Sequence, residues 1–266
     1  IIENALSKLE SLKNQFCTEN SDIYILFDNP SSKYDMRKQI YQEYKHARDK
    51  KNIPASFYKI LEVFQSILIY YSDNLYLVEK SGYEADDLTL PLLNYLNFNN
   101  ENKKFILISA DLDWARNIRK NVHWFNYKDV LDINTFKEIY GFDGGGKVQF
   151  FKTLHGDNSD NIPNALPHCP KEILNYIVST YNNLESLLQN LWKDKIIPLN
   201  WKVKIKDAET QLKINNQLTE FLMVEGNIEE DIIKCSFNKQ GLKKMYELLG
   251  LNLDLKAYNK DEDNFF

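Results

Sequence analysis

The chain has 266 residues, 43% hydrophobic and 27% charged, with a formal net charge of −5. That is long enough for one large globular domain or a domain with an appended lobe, and no apolar run approaches the length of a membrane span. Cys17, Cys169 and Cys235 are odd in number and lack metal-site spacing, which fits a reduced cytoplasmic compartment. The four histidines are scattered outside the acidic clusters, which argues against a zinc or histidine-based site.

In chain order, apolar spacing predicts a helix over 4–16 and a strand over 23–27, closed by Asp28. A basic stretch follows, with Lys33, Arg37, Lys38, Lys45, Arg48, Lys50 and Lys51 set against Asp35, Glu43 and Asp49. Tyr34, Tyr41 and Tyr44 are interleaved with it, and a helix is predicted over 36–50. Such a stripe is either a solvated helix face or a contact for a phosphate backbone, and its tyrosines either stack on unpaired bases or face the core. Next come a helix over 54–71, a strand over 75–78, a helix over 84–97, a strand over 105–109, a helix over 111–119 and a strand over 122–125. This alternation predicts an α/β fold with a mostly parallel central sheet and helices on both faces, its ligands outside the carboxyl ends of the strands. Beyond residue 130 the pattern is helical: 133–140, 147–155, 170–180, 184–192, 206–222 and 239–249, with a frayed tail. Asp143-Gly144-Gly145-Gly146-Lys147 is a flexible turn; its flanking spacing and Val148 exclude a phosphate loop.

Carboxylates gather beside these strand ends and helix starts. They are Asp28, then Glu84, Asp86 and Asp87, then Asp111 and Asp113, and finally Asp157 and Asp160. Each group alone has an ordinary explanation as a helix cap or an Asx-rich loop. Together they would repel one another unless cations hold them. Oxygen-only ligands suit Mg²⁺ or Mn²⁺, and a pair of such ions is the usual apparatus for displacement at phosphorus. The residues therefore predict a metal-dependent phosphodiesterase. No Ser-His or Cys-His pair suggests a covalent intermediate.

Tyr83-Glu84-Ala85-Asp86-Asp87, Ser109-Ala110-Asp111-Leu112-Asp113 and Gly156-Asp157-Asn158-Ser159-Asp160-Asn161-Ile162-Pro163 resemble successive signatures of the flap endonuclease/5′–3′ exonuclease family. That family includes phage 5′ nucleases and the amino-terminal nuclease domain of bacterial DNA polymerase I. The resemblance covers about residues 23–165. It implies that Asp28, Glu84, Asp86 and Asp87 gather around one metal and that Asp157 and Asp160 hold a second, with Asp111 and Asp113 between or beside them. It also makes Arg37, Lys38, Tyr44, Lys45 and Arg48 part of a basic arch under or through which a single-stranded 5′ end passes. Lys45, Arg48 and Arg37 are then the candidates for stabilising charge on the scissile phosphate. Lys33, Lys38, Tyr44, Lys147, Lys152 and Lys171 are the expected nucleic-acid contacts.

The resemblance implies an α/β nuclease core over 1–140, with the arch at about 30–60. A helical lobe over 141–266 would contain a helix–three-turn–helix-like segment for duplex DNA. The partner would be DNA with a 5′ single strand or flap, or an RNA primer paired to DNA, bound by a monomer in the cytoplasm of a bacterial or phage-infected cell. Two departures stand out. Asn164-Ala165-Leu166-Pro167-His168-Cys169-Pro170 lacks the family's glycine-rich hairpin, so the resemblance does not carry over its monovalent-cation site. The family's first catalytic aspartate has no match before Asp28, and a short apolar strand ending in Asp is expected upstream of Ile1 in the natural chain. Two other readings remain: a PIN-type ribonuclease, and a DNA-structure-binding protein that has lost turnover.

Overall fold

A computed structural model describes residues 1–29, 37–46, 55–248 and 250. Arg48, Lys33 and Tyr34 lie outside the described residues, as do residues 36 and 47–50 of the helix expected over 36–50; within it, 37–40 are helical and 42–45 form turns. Two units emerge, Ile1–Ile25 with Ile53–Val78 and Ile232–Phe266, and Leu26–Asn52 with Glu79–Asp231. These do not coincide with a division at residue 140. The core of the second unit joins Leu107, Trp124 and Phe136 to Val148, Leu154 and Ile177.

In the first unit, strands β1 (Ile23–Phe27), β2 (Leu75–Glu79) and β6 (Ile232–Lys234) form a sheet in the order β1-β2-β6. The expected strands over 23–27 and 75–78 are both present. β6 pairs antiparallel with β2, with Tyr76 opposite Lys234 and Val78 opposite Ile232. The Tyr24 and Tyr76 rings stack at 4.6 Å, the cross-strand contact that alternating strand side chains permit. Helices Ile2–Phe16, Ala55–Leu68 and Lys239–Leu248 complete the unit. Gly241 lets the last of these approach Tyr70, since a Cβ there would lie 2.8 Å from the ring.

In the second unit, β3 (Phe105–Ile108) and β4 (Val122–Phe125) are parallel, with Phe105 opposite Val122 and Ile108 opposite Phe125. The 3₁₀ turn Leu112–Asn117 lies in the crossover a parallel pair requires. An α-helix was expected over 111–119. The backbone bridge between Arg119 and Val122 turns the chain back toward β4 and leaves room only for this shorter turn. β5 (Val130–Leu131) pairs antiparallel with β4, because the short link from Phe125 permits no crossover. The fold is thus α/β, but its described strands form two three-stranded sheets with antiparallel edges, β6 and β5, that the sequence pattern did not reveal.

Helices Ile133–Tyr140, Gly146–His155, Lys171–Thr180 and Leu184–Asn190 follow the expected ranges closely. The long helix expected over 206–222 is two helices, Leu199–Asp207 and Glu209–Thr219, broken where Ala208 takes φ −83° and ψ 3°. Trp124, Phe136, Phe142, Leu154, Ile177 and Leu187 are almost wholly buried in the core beneath these helices. Among the described residues no helix is long and apolar enough to cross a membrane.

Candidate metal centre

Three local devices bring carboxylates together within the second unit. Past the end of β3, Asp111 caps the 3₁₀ turn, its Oδ1 accepting from the amide of Asp113 at 3.0 Å. This fixes Asp113 in the first turn, where its side chain is only 14% exposed. At the start of helix Ala85–Tyr95, Asp87 Oδ2 accepts from the Glu84 amide at 3.2 Å, and Asp28 Oδ1 accepts from the Ala85 amide at 2.7 Å. After helix Gly146–His155, Gly156 turns the chain with φ +77° and ψ −177°, and Asp157 exchanges backbone hydrogen bonds with Ile162. A Cβ on Gly156 would lie 2.5 Å from the Ile162 carbonyl oxygen, so only glycine fits there.

The result is a pocket walled by Glu84, Asp86, Asp113, Asp157 and Asp160 on the acidic side. Carboxylate oxygens of Asp113, Asp157 and Asp160 all lie within 4.8 Å of one another. Arg37, Arg116 and Lys152 line the same pocket. Lys152 Nζ is 2.7 Å from both Asp113 Oδ1 and Asp157 Oδ2. Lys45 Nζ lies 2.5 Å from Glu84 Oε1 and 3.9 Å from Asp160 Oδ1. Arg37 donates to the Glu220 carbonyl at 2.9 Å and approaches Asp87 at 3.4 Å and Glu84 at 3.8 Å.

These neighbours divide the acids into two kinds. Burial pushes Asp86 up to about 8, with repulsion from Asp87, Glu84 and Asp113 adding to it. Burial also raises Asp113, against the pull of Lys152. For Asp157, burial is outweighed by Lys152 and by two hydrogen bonds from Ser159, which hold its carboxyl below the ordinary range. Lys152 is raised: burial opposes its charge, but Asp113 and Asp157 outweigh burial. Crowded carboxylates that resist ionisation are what a hard cation would stabilise, and an oxygen-only donor set fits Mg²⁺ or Mn²⁺.

Of the expected ligands, Glu84, Asp86, Asp113, Asp157 and Asp160 share the pocket. Asp28 is exposed at the start of helix Ala85–Tyr95, and Asp111 is exposed beside Lys152 at 3.8 Å. Asp87 is 1% exposed and committed elsewhere, accepting from the amides of Glu84 and Leu222 and facing Arg37. It braces the site instead of facing the pocket.

Several expected nucleic-acid contacts have other partners. Lys152 is 5% exposed, because its ammonium is held by the carboxylates. Lys147 donates to the Tyr181 carbonyl at 2.6 Å and approaches the Ser179 carbonyl at 3.3 Å, so it closes the end of helix Lys171–Thr180. Tyr44 is 2% exposed and packs with Ile162 and Leu218, the core alternative for the interleaved tyrosines. Lys171 is exposed at the start of its helix, and Lys38 is half-buried.

One member was missed from sequence. Arg116 donates to the Thr219 carbonyl at 2.8 Å and to Gln149 at 3.0 Å, and its guanidinium lies over the Phe221 ring. Burial pulls it down to about 10, against Asp113 and Asp86. The available signal was its position one helical turn after Asp113.

Residues 2–141 match the 5′-3′ exonuclease, N-terminal resolvase-like domain. The chain belongs to this family. It is 28% identical over 236 residues to DNA polymerase I of Caldicellulosiruptor bescii, covering 85% of this chain but only 26% of that protein. It is 26% identical to a 5′-3′ exonuclease of Buchnera aphidicola, covering 82% of this chain and 69% of the relative. A flap endonuclease Xni of Pseudoalteromonas translucida is 23% identical over 82% of this chain and 77% of its own length. Among solved structures, T5 D15 protein co-crystallised with metal ions superposes with a TM-score of 0.63 at 17% identity, covering 83% of this chain and 82% of that one. T5 5′-exonuclease with bound zinc gives 0.61 at 18% identity, over 94% and 90% of the two chains. The fold of this 5′-3′ exonuclease family member is therefore that of the T5 enzyme.

Proposed function

We propose that this chain acts as a divalent-metal-dependent 5′ nuclease. It would hydrolyse phosphodiesters in DNA with a single-stranded 5′ end or flap, or in an RNA primer paired to DNA. The observation that carries this is the convergence of Asp113, Asp157 and Asp160 oxygens within 4.8 Å inside a pocket that also holds buried arginine and lysine. A T5 D15 flap endonuclease crystallised with DNA and metal ions shares the fold, at a TM-score of 0.60 and 16% identity.

In this reading Asp113, Asp157 and Asp160 would hold one Mg²⁺ or Mn²⁺ ion, and Glu84 and Asp86, with Asp28 and Asp111, would hold a second. Ions bound there supply Lewis acidity, lowering the pKa of water and drawing charge from the phosphoryl oxygens. The chain's own residues position and neutralise. Asp87 fixes the start of helix Ala85–Tyr95, and so the placement of Glu84 and Asp86. Arg37, Arg116, Lys45 and Lys152 supply fixed positive charge where a phosphate enters, the electrostatic role that displacement at phosphorus requires. Arg48 and Lys33 extend that charge along the sequence. Lys171 and Lys38 remain candidates for backbone contact, and the enzyme would work as a cytoplasmic monomer.

The test is cleavage of a 5′-flap DNA, beside an equal-length single-stranded RNA, with Mg²⁺ and with EDTA. Mg²⁺-dependent cutting near the flap junction is the expected result. Preferential cutting of the RNA points to a PIN-type ribonuclease, and flap binding without cutting points to a structure-binding protein.

A further inference from the structure

A second cavity of about 480 Å³ adjoins the carboxylate pocket, and Lys152 and Asp157 line both. Leu112, Phe151 and His155 also line it, with Asp111 and Asn158. Its volume falls within the range of ligand pockets, roughly 300–1,000 Å³. His155 terminates a column of rings. Phe142 stacks on Phe151 at 5.0 Å and 21°, and Phe151 stacks on His155 at 5.0 Å and 13°. Phe142 is buried, Phe151 half-buried and His155 exposed, so the column runs from the core to the cavity wall.

A histidine in the last turn of helix Gly146–His155 complements the helix dipole on any face. That role does not account for a ring braced from behind by two others beside a cavity. Flat, sequence-tolerant recognition of a base needs such a supported π surface. In the nuclease reading, a phosphate held by cations beside Asp113 and Asp157 would carry a nucleoside on each side, and this cavity is the mostly apolar space next to it.

Resting on the nuclease reading above, we infer that this cavity is a nucleobase subsite, in which an unpaired base flanking the scissile phosphate stacks on His155. The assignment concerns residues outside the carboxylate and arginine set, and it makes His155 a positioning residue for substrate.

The experiment is a chemical cycle on a 5′-flap DNA. Wild-type protein, H155A and H155F are each given an intact flap, or one with an abasic nucleotide on either side of the scissile bond. Cleavage is followed in Mg²⁺, and affinity by fluorescence anisotropy in Ca²⁺. H155A should lose about fivefold or more, the low end of base stacking. One abasic position should cost wild type the same factor, and the two changes together should cost no more than either. H155F should recover most of the loss. If the losses multiply, or neither change has an effect while wild type still cuts, the subsite is wrong and the nuclease reading stands. If wild type binds without cutting and the cycle remains coupled in affinity, the subsite stands and the nuclease reading falls. Absence of both binding and cutting overturns both.

Discussion

The ammonium of Lys152 meets the carboxylate of Asp157 at 2.7 Å across Gly156, and the glycine's backbone is what permits the meeting. Gly156 ends helix Gly146–His155 in a conformation that L side chains rarely adopt, and a Cβ would collide with the Ile162 and Pro163 backbone. Gly156→Ala should therefore cost at least about 1–3 kcal/mol of stability, the scale of a single strained backbone residue. It should also abolish Mg²⁺-dependent cleavage by displacing Asp157 and Asp160. Thermal melting of the metal-free protein checks the first part. An unchanged Tm would mean that the loop accommodates a side chain.

Asp113→Asn keeps the size of the side chain and removes one charge from the cluster of Asp113, Asp157 and Asp160. Cleavage should fall to less than about a tenth of wild type, since disturbing even the surroundings of a metal typically costs tenfold or more. The fold and flap binding should persist. Cleavage above that level at saturating Mg²⁺ removes Asp113 from the metal set.

Lys45→Ala should slow cleavage more than it weakens flap binding. Its ammonium lies inside the site between Glu84 and Asp160, not on a surface that a duplex could reach. Rate and affinity measured at several salt concentrations separate the possibilities. A parallel fall in both, with a reduced salt slope, marks Lys45 as a general phosphate anchor.

Asp86 and Asp87 are neighbours in sequence with opposite relations to stability. Asp87→Ala leaves Arg37 facing one acid fewer and the Leu222 amide without its acceptor, and should cost about 3–5 kcal/mol, the range for breaking a buried ion pair. Asp86→Asn replaces a carboxyl that the site resists ionising, and should leave the metal-free protein as stable as wild type or more so while cleavage is lost. Urea denaturation of both variants in EDTA checks this. Equal destabilisation would contradict the division of roles.

Much of this centre was legible because it depends on short-range rules. Strand ends, helix caps and the Gly156–Pro163 loop carry their acids in local sequence, so Glu84, Asp86, Asp113 and Asp157, which share the pocket, could be picked out before any fold. What could not be read was which cations the acids would meet. Lys152 looks like any basic residue on a helix until Gly156 turns Asp157 back beside it. Tyr44 looked equally suited to stacking or core, and only Ile162 and Leu218, distant in sequence, decide it. The edge strands β5 and β6 are two and three residues long, too short for a period-two pattern to show.

The raised Asp86 makes a prediction about pH. An acid whose folded value lies above its unfolded one stabilises the fold fully below the unfolded value, and loses that contribution as pH rises through the folded value. For Asp86 the window runs from about 4, the ordinary aspartate value, to about 8. Metal-free protein should therefore lose stability from this group across that interval, and Asp86→Asn should flatten the corresponding part of the profile. Mg²⁺ should flatten it as well, because a bound cation stabilises the ionised carboxylate and removes the penalty. Chemical denaturation at several pH values, with EDTA or Mg²⁺ and with wild type or Asp86→Asn, resolves the contribution as a difference of slopes. If the variant and wild-type profiles run parallel in EDTA, Asp86 ionises without penalty and the crowding of Glu84, Asp87 and Asp113 around it is relieved by some other means.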